Sequence, residues 1–122
     1  MESLEPVLSP GEVLAFQSKV EDVHADPTLV EYLMQIVRAT RQDARLRLGA
    51  SPRSSVGLFR AARAYAIVNG RDYLVPDDIQ ALIVPCLAHR LLPTSATAST
   101  ADAHDEAAAL LDGILSDIPV PV

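Results

Sequence analysis

Three times in 122 residues a side chain able to cap a helix stands directly before a proline: Ser9-Pro10, Asp26-Pro27 and Ser51-Pro52. Proline at the first helical position loses no hydrogen bond, because that amide has no partner inside the helix, and its fixed φ already suits the helix. The preceding oxygen accepts an amide from two or three residues on. Each pair therefore marks a helix start, and the apolar pattern that follows says which face is buried. Glu12 stands three residues after Ser9, the spacing of a capping box, and Val13, Phe16, Val20 and Val23 then recur at helical intervals. After Asp26-Pro27, the set Leu29, Leu33, Ile36, Val37 and Ala44 predicts one stripe of a helix of about four turns, with Glu31, Gln35, Arg38 and Gln42 on its wet side. After Ser51-Pro52, the run from Val56 to Val68 is apolar nearly all round. Only a narrow strip with Arg53, Arg60 and Arg63 is polar, which predicts the central helix of the fold. Asn69-Gly70 closes it.

Beyond that point the signals are shorter. Arg71 to Val75 leans towards β structure and is expected to form one edge of a two-stranded ribbon. Pro76-Asp77-Asp78 opens another helix with two acids in its first turn, and Pro85 predicts a kink there or a split into two short helices. Residues 93–103 are largely Ser, Thr and Ala and read as an exposed connector before a short last helix carrying Ala108, Leu111 and Leu115. Ile118-Pro119-Val120-Pro121-Val122 cannot continue as helix. The expected fold is one mainly all-α domain over residues 1–122, a small helical bundle with at most a minor two-stranded ribbon.

Charge and composition narrow the function. The longest apolar runs fall far short of the roughly 20 residues needed to cross a bilayer, and the acidic start Met1-Glu2-Ser3-Leu4-Glu5 is unlike a secretory signal, so a cytoplasmic location without a membrane span is expected. Cys86 is the single cysteine and lies among apolar neighbours, as a buried inert thiol would. Net charge is −6, but residues 38–63 hold seven arginines against one acid, Asp43. Such a basic band suits phosphate, an acidic partner or plain solvent. The overall acidity, the single lysine and an aromatic content of 4% argue against a nucleic-acid partner.

Catalytic chemistry is missing from the sequence. Neither a glycine-rich phosphate loop with its lysine nor a magnesium-holding acid at a strand end is present, and His24, His89 and His104 have no partners at metal-ligand spacing. No catalytic residue and no metal site are expected in this chain alone. What stands out is Ser51-Pro52-Arg53, where a capped helix N-terminus, with amides facing outward, carries an arginine in its first turn. Arg60 lies about 10 Å further along nearly the same face, with Arg63 close by, as a secondary basic strip. The plain alternative is that all three are surface cations lying along apolar neighbours.

The order and spacing of Gly49-Ala50-Ser51-Pro52-Arg53, Gly70-Arg71-Asp72-Tyr73, Pro76-Asp77-Asp78-Ile79 and Leu87-Ala88-His89-Arg90-Leu91 resemble the C-terminal lid of MoxR-family AAA+ ATPases. Leu8-Ser9-Pro10, Val37-Arg38-Ala39-Thr40-Arg41 and Ile118-Pro119-Val120-Pro121 extend the likeness over nearly the whole chain. The resemblance implies that Arg53 is the sensor-2 arginine, which reaches towards the γ-phosphate, with Ser51 and Pro52 supporting it. It implies ATP and magnesium in an intact parent whose ATPase core domain is absent here, so the parent and not this chain would hydrolyse ATP. It further implies contact with core domains of the same and neighbouring subunits in a hexameric ring, partners with von Willebrand factor A domains, and chaperone-like remodelling or protein maturation. Ser54 departs from the alanine often found there. The competing expectation is a free-standing helical interaction module or adaptor that binds an acidic partner.

Overall fold

The computed structural model describes residues 3–95 and 100–122. In chain order it contains α1 (Pro10–Val20), α2 (Pro27–Gln42), β1 (Leu46–Leu48), α3 (Pro52–Val68), α4 (Pro76–Leu87), a 3-10 turn (Ala88–Arg90), β2 (Leu92–Pro93) and α5 (Thr100–Asp117). This is the mainly α bundle with a minor ribbon that the sequence predicts.

The cap-then-proline pairs start helices where expected. Ser9 Oγ accepts the Glu12 amide at 3.2 Å while Glu12 Oε1 accepts that of Ser9 at 3.2 Å, a reciprocal box. Asp26 Oδ1 takes the Thr28 amide at 2.9 Å and Ser51 Oγ that of Ser54 at 3.1 Å. α4 also begins on a proline, but its capping residue is Val75, which has no side-chain acceptor. Asp78 serves instead, its Oδ2 accepting the Val75 amide at 2.9 Å.

The core forms where helical stripes converge: Leu29, Leu33, Ile36 and Val37 of α2, Leu58 and Ala62 of α3, Ile79, Ile83 and Leu87 of α4, and Ala107 and Leu111 of α5. Burial of each large aliphatic side chain contributes roughly 1.5–3 kcal/mol, which is what ties α2 to a helix 70 residues further along the chain. α3 lies between α1, α2 and α4, as a central helix should. Its burial is nevertheless one-sided. Leu58, Ala62 and Ala66 are buried, but Val56 is 59% and Val68 82% exposed, so the apolar circumference read from sequence is not fully covered. α1 shields its flank only loosely. It buries no residue of its own and leaves an apolar groove of roughly 450 Å³ between Phe16, Val20, Ala64 and Ile67.

Several local expectations are corrected. The ribbon is not built from Arg71–Val75 but from β1 and β2, antiparallel, with Leu46 opposite Pro93 and Leu48 opposite Leu92. Tyr73 makes only an isolated parallel bridge with His24, in which the His24 amide donates to the Asp72 carbonyl at 2.9 Å and the Leu74 amide to that of His24 at 2.8 Å. Pro85 does not split α4. The helix runs unbroken from Pro76 to Leu87; the carbonyl that Pro85 cannot bond belongs to exposed Ala81, where water can satisfy it, and buried Ile83 and Leu87 anchor the turns on either side. Ala44, expected on the buried stripe of α2, lies exposed beyond the helix. The expected connector 93–103 is also revised: Pro93 is buried in β2, residues 96–99 lie outside the described ones, and helix begins by Thr100. That helix is 18 residues long rather than short, and its buried positions are Ala107, Leu111 and Ile114, a stripe rotated from the expected Ala108, Leu111 and Leu115.

Candidate functional site

The conspicuous arginine sits at the start of α3, and the loop leading to it is held by α2. Thr40, fully buried in the last turn of α2, donates its hydroxyl to the Val37 carbonyl at 2.7 Å and accepts the Ala50 amide at 3.0 Å. Gly49 passes so close to that turn that an added Cβ would lie 2.6 Å from the Thr40 carbonyl oxygen and 2.7 Å from Arg41 Cα. Only glycine fits between two backbones at that distance. With Gly49 pressed onto α2 and the neighbouring amide bonded, Ala50 is buried and Ser51 takes the extended conformation, φ −80° and ψ 163°, from which its hydroxyl caps α3.

Arg53 is therefore presented from a fixed platform. Pro52 has no amide hydrogen and Ser51 takes the amide of Ser54, so Arg53's own amide is the donor at this end left available to an anion. The Arg53 side chain is exposed and makes no hydrogen bond or ion pair among the described residues. Beneath it, Ser54 is 3% exposed, its Oγ 3.0 Å from Ser51 Oγ and accepting from Arg90 at 3.2 Å, while Ser55 Oγ donates to the Pro52 carbonyl at 2.6 Å.

The secondary strip divides. Arg60 is exposed and, like Arg53, without a partner among the described residues. Arg63 is committed elsewhere: its guanidinium donates to the Glu21 carbonyl at the end of α1 and lies 5.1 Å from the centre of the Phe59 ring. It fastens α1 to α3 and is not free to join Arg53 on a common anion. Elsewhere in the basic band, Arg38 pairs with Glu31 at 2.9 Å and Arg45 with Asp43 at 2.7 Å. Hydrogen bonds from Arg45 hold the Asp43 carboxyl down to about 2.

At the far end of α3 lies a pair that sequence reading missed. Gly70, with φ +76°, ends the helix, its amide bonding the Ile67 carbonyl and the Arg71 amide that of Ala66, each at 2.9 Å. This reversal aims Arg71 at α4, where its two terminal nitrogens meet the two oxygens of Asp78 at 2.7 and 2.6 Å. Asp78 is completely buried. Burial opposes its charge, but the Arg71 hydrogen bonds and the Val75 amide together keep its carboxyl below the ordinary range. The spacing of Arg71 and Asp78, seven residues across a turn, was the available signal. Cys86 is half-buried, and burial pushes its thiol up, away from the reactive thiolate.

A small helical domain that clamps a glycine-alanine loop against one helix and presents a free arginine from the next matches, over residues 38–112, the family model of the AAA lid domain. The chain belongs to that family, as a lid of the MoxR-type AAA+ ATPases. It is 40% identical to YeaC of Bacillus subtilis, a match covering 100% of this chain and 37% of YeaC. It is 38% identical to the chaperone MoxR1 of Mycobacterium tuberculosis over 72% of this chain and 26% of that protein. With the MoxR protein of Paracoccus denitrificans the identity is 34%, over 80% and 32%. A crystal structure of a candidate ATPase from Cytophaga hutchinsonii superposes with a TM-score of 0.76 at 26% identity, covering 92% of this chain and 36% of that one. The chain thus spans about a third of the length of the curated relatives it matches. Among the described residues no helix is long and apolar enough to cross a membrane.

Proposed function

We propose that this chain is the nucleotide-sensing lid of a MoxR-type AAA+ ATPase. In this reading it closes over ATP held by a core domain, with Arg53 directed at the terminal phosphate, and couples hydrolysis to chaperone-like remodelling or protein maturation. The observation that carries the proposal is the contrast at the start of α3: an exposed arginine without a partner among the described residues, on a loop whose backbone is gripped by Thr40 and by the close approach of Gly49. An unpaired cation gains by meeting an anion, and a fixed platform lowers the entropy lost in doing so. The group fits the charged end of a nucleotide, since a guanidinium and the Arg53 amide both donate; magnesium would have to be held by carboxylates of the core, because this end of α3 supplies none. ATP and magnesium supply the phosphoryl chemistry when bound. The partners in this reading are core domains of the same and neighbouring subunits, in a hexameric ring, and proteins with von Willebrand factor A domains.

The test is ATP turnover by the full-length protein. Arg53→Ala is expected to slow it about 10- to 1000-fold, the range for loss of one preorganised electrostatic contact, and Arg53→Lys also to impair it, since lysine lacks the paired donors. Arg60→Ala and Arg63→Ala should do less. Wild-type turnover in Arg53→Ala would remove the sensor role.

A further inference from the structure

The start of α3 is held from a second side, by a residue 36 positions further along the chain. α4 ends at Leu87 and tightens into the 3-10 turn, which brings Arg90 back across the first turn of α3. There a terminal guanidinium nitrogen of Arg90 donates to Ser54 Oγ at 3.2 Å, and Ser54 Oγ lies 3.0 Å from Ser51 Oγ, the cap itself. Arg90 Nε donates to His89 Nε2 at 3.2 Å, so the guanidinium is anchored at both ends. Ser54 is buried, and a hydroxyl that accepts from a cation becomes a better donor of its own hydrogen. Ser51 Oγ would then receive both the Ser54 hydroxyl and the Ser54 amide, fixing the cap rotamer.

We propose that Arg90 is a positioning residue for Arg53, acting through Ser54 and Ser51 to hold the first turn of α3 in register with the 3-10 turn (Ala88–Arg90). The inference rests on the sensor reading of Arg53 given above. Its logic is mechanical: Arg53 follows the cap by two residues, so a cap free to change rotamer lets the first turn fray and the guanidinium wander. The Arg90 charge also adds to the positive potential at this end of the helix, but the hydrogen bond is what sets geometry.

The experiment compares Arg90→Ala, Ser54→Ala and the double variant in the full-length protein by two readouts, ATP turnover and amide hydrogen exchange in the first turn of α3. Each single variant is expected to speed exchange of the Ser54 amide and to lower turnover about 3- to 10-fold, as for loss of one partly exposed charge-assisted hydrogen bond. The double variant should be no worse than either single one. Arg90→Gln, which keeps a donor but no charge, should recover most of the exchange protection. Unchanged exchange in Arg90→Ala, or fully additive losses in the double variant, would overturn the proposal. The two readings fail separately: an inert Arg53→Ala sinks the sensor role and, with it, any use for positioning, whereas a damaged Arg53→Ala beside an unaffected Arg90→Ala sinks only the role of Arg90.

Discussion

The two ends of α3 each carry an arginine within a few residues of the helix terminus, and they are treated in opposite ways. At the C-terminal end Arg71 is drawn inward and matched oxygen for nitrogen by Asp78, which is wholly buried. At the N-terminal end Arg53 points outward and is matched by nothing among the described residues, although the backbone beneath it is held by Thr40, Ser51, Ser54 and Arg90. A charge whose partner is built into the fold serves the fold. A charge left without one, on a rigid base, is available to something that arrives later. The same helix thus has a stabilising end and a receptive end, and the difference lies in whether the partner is covalently part of the chain.

That division predicts opposite responses to mutation. The largest change is expected for Asp78→Ala, which strands the Arg71 cation against the interior and frees the Val75 amide; about 3–5 kcal/mol should be lost in urea unfolding of this chain. The same pair sets an acid limit. Because the Asp78 carboxyl is held below its ordinary value of 3.8, its contribution is complete above that pH and fades as pH falls through the lower folded value. Stability of the wild-type chain should therefore decline below about pH 4, and Asp78→Ala should show a flatter decline over the same range. If the two curves ran parallel, the pair would not be the stabilising element assigned here.

Gly49→Ala tests the platform. Its new methyl group would meet backbone rather than a yielding side chain, so the loop must shift, at a cost of about 1–3 kcal/mol. Since Arg53 rides on that loop, turnover of the full-length protein should fall with it; a stability loss without loss of turnover would separate platform from sensor. Gly57→Ala is the internal control on the same helix. Nothing lies within 4 Å of the added atom, and alanine is the better helix former, so a gain of about 0.5–1 kcal/mol is expected. The smallest stability change belongs to Arg53→Ala, at most about 0.5 kcal/mol, because an exposed side chain without partners has little to lose. A larger loss would mean that Arg53 is structural and the contrast between the ends is false.

Helix starts were legible because caps and prolines act over two or three residues: Ser9, Asp26 and Ser51 each bond the amide their spacing predicts. The mainly α class, the central place of α3 and the exposure of Arg53 followed from local pattern in the same way. The misreadings share one cause. β1 finds its partner in Leu92–Pro93, some 45 residues away, and no short window can tell that pairing from the equally β-leaning Arg71–Val75. Pro85 leaves α4 whole because the carbonyl it orphans faces water, a fact of burial rather than of sequence. Arg63, Arg71 and Arg90 look as free as Arg53 in the sequence, and tertiary contacts alone assign them to the end of α1, to Asp78 and to Ser54. The sequence by itself determined where helices begin and which faces are apolar, since those depend on neighbours along the chain. Which cations are engaged within the fold and which, like Arg53 and Arg60, are left exposed without a partner among the described residues was decided only in three dimensions, because a hydrogen bond or ion pair requires two groups within about 4 Å and the chain brings them there from 7 to 42 positions apart.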